Sequence, residues 1–215
     1  MTNFIPIFPL EVIIYPGEPL NLHIFEPRYM QLIRDCLKDN RPFGLAVVMD
    51  KKIVEYGTLI EIKELAKEYE SGEMDIRTKG VKVFRILEII KDIPGKMYNG
   101  AIVTYPTNVM EHGDSQISKI LVNEVKRLCD LMGVAEKFPA NKSTLISYEI
   151  ARYAGLSKQQ EYELLELMSE LHRLEYLRRH MTGTINPIIQ DLEQLKARIQ
   201  MNGHFRNLSS GDINM

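Results

Sequence analysis

The stretch YPGEPLNLHIFEPRY, residues 15–29, holds a turn, a strand and a helix start in direct succession. Pro16-Gly17 is a turn pair: proline presets φ at one turn position, and glycine accepts the positive φ that the next can require. Leu20, Leu22 and Ile24 then alternate with Asn21 and His23, the period of a strand with one buried face. Pro27 opens a helix, because proline at the first helical position lacks only an N–H that would have no partner there. Glu26 places a carboxylate at the positive end of the helix dipole. Tyr29, Leu32, Ile33, Cys36 and Leu37 follow at helical spacing, and Asn40-Arg41-Pro42 ends the element.

Strand patterns flank this stretch on both sides. Upstream lie the apolar runs Ile5–Leu10 and Val12–Tyr15; Pro6 and Pro9 cannot donate to a ladder, so the first strand is expected at an edge or broken. Downstream, Phe43–Met49 and Thr58–Ile62 read as strands, and Ser71-Gly72 as a hairpin tip. Met74, Ile76 and Thr78 alternate with Asp75, Arg77 and Lys79. Val81–Ile89, the turn Pro94-Gly95 and Ala101–Tyr105 complete the series. About six short strands with glycine and proline turns predict a small barrel or a strongly curled sheet.

The period changes after His112-Gly113. Ile117, Ile120, Leu121, Val125, Leu128 and Met132 mark a helix stopped by Gly133. Ser143 can cap a second helix running towards Gly155. Ser157 with Gln160 has capping-box spacing and opens a third, and Ser169 caps a long fourth. The expected class is therefore α+β: a barrel with one inserted helix over residues 1–112, a helical bundle over 113–204 ending in a long helix, and a frayed tail over 205–215. The boundary is expected near 106–114. Met181, Ile185, Ile188, Leu192, Leu195 and Ile199 follow one another at spacings of 4, 3, 4, 3 and 4, the seam of a coiled coil. Gly183 and Pro187 predict a kink at 183–187. The stripe is expected to be buried on its own bundle, on a second copy or on a partner, which makes Ile188, Leu192, Leu195 and Ile199 a candidate interaction surface.

Composition narrows the function classes. The chain has 27 Lys and Arg against 29 Asp and Glu, a net charge of −2. Residues 1–112 carry 14 basic and 16 acidic side chains, and 113–215 carry 13 of each. Neither part has the positive excess that binding along a phosphate backbone requires. Arg173, Arg178, Arg179 and His180 read as the solvated face of a helix. Cys36 and Cys129 lie in apolar helical patterns, where free cysteine packs as a small hydrophobe and not as a reactive thiolate. No apolar run approaches a membrane span, and no signal peptide is visible, so the cytoplasm is the expected compartment. The histidines His23, His112, His172, His180 and His204 form no i, i+4 pair and stand near no cysteine at zinc-ligand spacing, so neither metal nor cofactor is expected.

Six segments carry a family resemblance. Ile5-Pro6-Ile7-Phe8-Pro9-Leu10, Tyr15-Pro16-Gly17-Glu18-Pro19-Leu20 and Leu22-His23-Ile24-Phe25-Glu26-Pro27-Arg28-Tyr29 together resemble the opening signature of the Lon protease amino-terminal domain. Tyr56-Gly57-Thr58 is similar to the start of that family's central strand, and Gly80-Val81-Lys82-Val83-Phe84-Arg85-Ile86 to its next motif. Leu171 to Leu177 resembles the start of the long helix that follows the barrel. The resemblance implies a PUA-like barrel, a helical bundle and recognition of protein substrates. It also implies a free-standing form, since no G-x-x-x-x-G-K-[ST] loop is present; Pro94-Gly95-Lys96-Met97 lacks the first glycine and the hydroxyl residue.

The expectation is thus a non-enzymatic module, without catalytic residues, that binds unfolded or hydrophobic polypeptide or a protein partner, with adaptor work in protein quality control and self-association both open to it. His23, Glu26, Arg28 and Tyr29 form a candidate polar recognition patch at the strand–helix junction; the competing reading makes them helix-start and backbone-satisfying residues. The rival function class is an RNA-binding PUA-like module, which the charge balance disfavours.

Overall fold

The computed structural model describes residues 2–109, 115–138 and 146–206. Strand β1 (Thr2–Leu10) resolves the problem its prolines pose by changing partner midway. Its first part pairs antiparallel with β6 (Gly100–Thr104) as far as Pro6↔Gly100, and its second part pairs parallel with β3 (Phe43–Met49) from Ile7↔Gly44. Pro6 and Pro9 each stand in a portion with a neighbouring strand on one side, so β1 lies inside the sheet and continues through both prolines, where an edge or a broken strand was expected.

The loop over 11–18 leads to β2 (Pro19–Ile24) and α1 (Pro27–Asp39). Ile13, Ile14 and Tyr15, expected as a strand, are buried without strand pairing. In α1, Pro27 sits in the first turn, the Glu26 carbonyl accepts from the Tyr29 and Met30 N–H groups at 2.9 Å each, and Asn40 closes the helix in the left-handed region, φ 47°.

Two long strands organise the rest. β4 (Lys52–Glu68) and β5 (Met74–Ile90) are 17 residues each, longer than their sequence patterns suggest, because residues beyond the apolar core still pair with each other. The sheet order is β2-β5-β4-β3-β1-β6, and β6 pairs back onto β5, so β5, β4, β3, β1 and β6 close a barrel with β2 outside it. Ile5, Ile7, Ala46, Leu59, Phe84, Ala101 and Val103 pack together in its core. Gly57 lets β4 pass over that core: a Cβ there would lie 2.4 Å from the Leu45 carbonyl and 2.6 Å from the Phe84 ring. Gly80 does the same for β5, where a Cβ would meet the Tyr15 carbonyl at 2.4 Å. This contact lets Gly80 exchange backbone hydrogen bonds of 2.8 Å with Gly17 and Glu18, fixing the loop before β2.

The chain divides into two units: Met1–His112 with Leu156–Arg173, and Gly113–Gly155 with Leu174–Met215. Sequence order had put 156–173 with the helices. It belongs with the strands because α4 (Lys158–Glu166), opened by a Ser157–Gln160 capping box, is pinned there. The Tyr56 N–H donates to the Tyr162 hydroxyl at 2.9 Å, and the Tyr15 hydroxyl donates to the Glu161 carbonyl at 3.1 Å. Val109 forms a parallel bridge with Ser169, just before α5 (Glu170–His180). Arg173 is 0% exposed and ion-pairs with Glu170 at 2.8 Å, so it is no part of a solvated face. His180 is likewise buried, against the Ala154 carbonyl at 3.0 Å, whereas Arg178 and Arg179 are exposed and share Glu175.

In the second unit, α2 (Ser115–Met132) ends at Gly133, φ +70°, with the Val134 N–H on the Cys129 carbonyl at 2.9 Å. α3 is short (Ser147–Ala151). Between α5 and α6 (Asn186–Arg206) the helix widens to one π-turn over Met181–Ile185, and the Asn186 N–H reaches the Met181 carbonyl. The irregularity was expected from Gly183 and Pro187; its form re-registers the stripe. One extra residue per turn rotates the following positions by about a quarter turn. Met181 and Ile185 are buried as expected, but then Ile189 takes the inward place, 0% exposed, while Ile188 is 50% exposed. Leu192 is half-buried, and Leu195 and Ile199 are 52% and 62% exposed. The expectation that the whole stripe is buried therefore fails within this chain beyond Ile185. The Ser143 cap, the boundary residues 110–114 and most of the tail lie outside the described residues; Phe205 and Arg206 still belong to α6. Among the described residues, no helix is long and apolar enough to cross a membrane.

Candidate functional site

The left-handed turn at Asn40 closes α1, with the Arg41 N–H on the Cys36 carbonyl at 3.0 Å, and a gap lies beside this end of the helix. A bulge enlarges the gap: Leu59 pairs with Lys82 and Ile60 with Gly80, so Val81 is an extra residue on β5. The result is a cleft of about 260 Å³ between α1, β4 and β5. Cys36 and Leu59 form its buried floor, Leu37, Pro42, Ile62 and Val81 its apolar walls, and Asn40, Arg41 and Glu61 its polar rim. Leu37 and Val81 are large apolar side chains left 37% and 44% exposed.

The helical wall is held from behind. Gln31 donates to the Gly95 carbonyl at 3.0 Å and accepts from the Met97 N–H at 2.7 Å. Asp35 accepts from Lys96 and from the Tyr98 hydroxyl, both at 2.7 Å. Burial pushes the Asp35 carboxyl up, but these hydrogen bonds outweigh it and hold the group below its usual range. Burial also raises the Tyr98 hydroxyl, with Asp35 adding to the effect. Arg41 reaches the Tyr98 hydroxyl at 3.4 Å and the Asp39 carboxylate at 3.4 Å. Burial pushes the Cys36 thiol up to about 11, which favours its protonated form at neutral pH.

The four residues singled out at the strand–helix junction do not converge on one space. Glu26 and Arg28 pair with each other at 2.7 Å, and the Arg28 guanidinium lies 4.5 Å over the Tyr29 ring. Tyr29 itself is buried, stacked on Phe8 at 4.0 Å, and serves the core. His23 turns instead to β5, where its Nδ1 lies 2.7 Å from Asp75, which also accepts from the Tyr69 hydroxyl at 2.8 Å. An open concavity of about 400 Å³ includes His23, Asp75 and Arg77. Its charged groups are occupied with one another, Arg77 by Glu64 at 2.9 Å, so it offers a ligand less than the cleft does. Among the described residues no three His, Cys, Asp or Glu side chains gather as a metal site. The cleft was not singled out from the sequence as a site; its lining residues were read there only as parts of a helical stripe, a helix end and strands.

Comparison with known proteins identifies the fold. Residues 5–183 match the substrate-binding domain of ATP-dependent protease La (LON). The chain belongs to the Lon substrate-binding domain family. The Lon N-terminal domain protein from Xanthomonas campestris superposes with a TM-score of 0.63 at 23% identity, covering 81% of this chain and 96% of that one. The N-terminal domain of the Mycobacterium avium complex Lon protease gives 0.62 at 15% identity, covering 85% and 100%. Cereblon is also similar: the Xenopus tropicalis protein is 28% identical over 89 residues and the Gallus gallus protein 28% over 90. Those matches span 39% and 40% of this chain but 20% of each cereblon. The opening signature, Gly57 and Gly80 thus lie within a Lon domain, and the cleft is built beside them.

Proposed function

We propose that the cleft between α1 and β4 receives apolar side chains of unfolded polypeptide, and that the chain serves as a non-catalytic recognition module or adaptor in protein quality control. The observation that carries this reading is the exposure of Leu37 and Val81 at a cleft of mixed lining, with Pro42 and Ile62 apolar beside them and Asn40, Arg41 and Glu61 polar. Concave apolar sites with a few polar groups suit side-chain capture. Membership of a substrate-binding family supports the choice of polypeptide as the ligand class. The charge balance supports it over RNA.

The test is fluorescence anisotropy with a permanently unfolded, alkylated polypeptide and with a single-stranded RNA, side by side at physiological salt. Polypeptide is expected to bind more tightly. Leu37→Glu, which sets a charge in the wall, is expected to weaken binding about tenfold or more, equivalent to about 1.4 kcal/mol. Tighter binding of RNA with a steep salt dependence, or an unchanged affinity in Leu37→Glu, refutes the reading.

A further inference from the structure

β4 outruns one of its neighbours. Its last partner in β3 is Phe43, opposite Ile60, yet β4 continues to Glu68 with β5 alone beside it. Among the described residues, no strand pairs with the other edge of Glu61–Glu68, and no backbone hydrogen bond outside the β4–β5 ladder uses these residues. Because strands turn successive peptide groups to opposite sides, part of this backbone presents donors and acceptors away from β5.

Two bulges decide which side chains flank that edge. Lys63 and Ala66 are extra residues on β4, so Ile62 lies opposite Thr78, Leu65 opposite Ile76 and Glu68 opposite Met74. Thr78, Ile76 and Met74 are buried, and Glu68 accepts from Arg34 of α1 at 3.3 Å, so this face is turned towards α1. It carries Ile62, which also lines the cleft, and Leu65, 38% exposed. Without the bulges, period two would send Leu65 to the other face. That other face is polar, with Glu61 opposite Lys79, Glu64 opposite Arg77 and Lys67 opposite Asp75.

We infer that an extended segment of client polypeptide adds to this edge as a further strand. Its backbone pairs with the outer groups of Glu61–Glu68, and every second side chain, apolar, lies along Ile62 and Leu65 and enters the cleft beside Leu37. The intervening side chains, polar or charged, lie on the face of the charged pairs. The inference rests on the polypeptide-binding reading and deepens it by naming an extended, alternating apolar–polar segment as the ligand. The same bulges speak against a second copy as the occupant. They distort the edge, and two identical distorted edges pair poorly, whereas a short flexible chain can follow the twist.

The experiment uses the full chain and a fluorescent peptide of about eight alternating valine and serine residues. Two N-methylated versions keep every side chain but block the amides of one edge or of the other. One version is expected to lose binding about tenfold or more and the other to lose little, since removing two or three hydrogen bonds suffices for that factor. Hydrogen exchange of the amides in 61–67 is expected to slow when the unmethylated peptide binds. If Leu37→Glu abolishes binding but both methylated peptides bind like the parent, edge pairing is overturned and the cleft reading stands. Protection confined to the cleft, Glu61 and Ile62 included, with none in 63–67 has the same meaning. A concentration-dependent dimer that protects 61–67 without peptide overturns the choice of occupant. Absence of any peptide binding removes both readings together.

Discussion

Replacing Arg173 with methionine tests how the stretch 156–173 is held in the strand unit. The guanidinium is 0% exposed and donates to the Asn108 side chain at 2.9 Å, the Leu167 carbonyl at 2.6 Å and the Glu170 carboxylate at 2.8 Å. Glu170 has a side chain 5% exposed. Arg173→Met fills much of the same volume but leaves the Glu170 carboxylate buried without this cation. Removing one member of a buried pair costs about 3–5 kcal/mol, because the remaining charge keeps its desolvation penalty and loses the cation that offset it. For a chain of this size that is a fall in Tm of roughly 6–20 °C. The pair itself need not stabilise the fold by that amount. Arg173→Met combined with Glu170→Leu removes both charges and is expected to recover at least half of the loss; the hydrogen bonds that Arg173 no longer gives to Leu167 and Asn108 account for the remainder. Urea denaturation followed by far-UV circular dichroism and by tyrosine fluorescence measures both variants. A single variant within about 1 kcal/mol of the wild type refutes the argument, as does a double variant no more stable than the single one.

Two further outcomes follow from the helices. Ile189→Ala is expected to cost about 2–5 kcal/mol and Ile188→Ala less than about 0.5 kcal/mol in urea denaturation, the reverse of what an uninterrupted coiled-coil seam gives. Asp35→Asn is expected to free the loop over 91–99 from α1, seen as faster hydrogen exchange at Met97 and Tyr98. Since the folded state lowers the Asp35 pKa below 3.8, its ionised form stabilises the wild type above that value and the contribution disappears as pH falls through the lowered one. The deficit of the variant in urea denaturation should accordingly be present at neutral pH and close at strongly acidic pH; a deficit independent of pH contradicts the assignment.

The fold was legible wherever a local rule and the tertiary environment agree. Pro27, the alternation of Leu20, Leu22 and Ile24, and the Ser157–Gln160 box are each satisfied within a few residues, so reading the chain in order finds them. Misreadings arise where a distant partner decides. Pro6 and Pro9 look like edge residues until β1 is seen to change neighbours between them. Arg173 looks solvated, with Arg178 and Arg179 close behind it, because the groups that bury it include Asn108, 65 positions earlier. The stripe over 181–199 keeps a perfect seam in sequence, but a π-turn inserts a phase shift that composition cannot reveal, and Ile189 replaces Ile188 inside.

The candidate site was less legible for the same reason, carried further. Its walls come from irregularities: a left-handed residue at Asn40, an extra residue at Val81, and two more at Lys63 and Ala66. None of these residue types announces a bulge. Regular pairing through residues 59–68 would turn Leu65 from the α1 side to the charged face and break the apolar wall between it and Ile62. The bulges therefore do two things at once: they extend an apolar surface past the end of the core, and they spoil the edge as a template for its own copy. A surface with only the first property invites aggregation, and an edge with only the second binds nothing. Together they suit the proposed pairing with a short extended chain better than pairing with a second copy. Hence the decisive comparison is between backbone-blocked and intact peptides of identical side chains, where only a strand-pairing site discriminates.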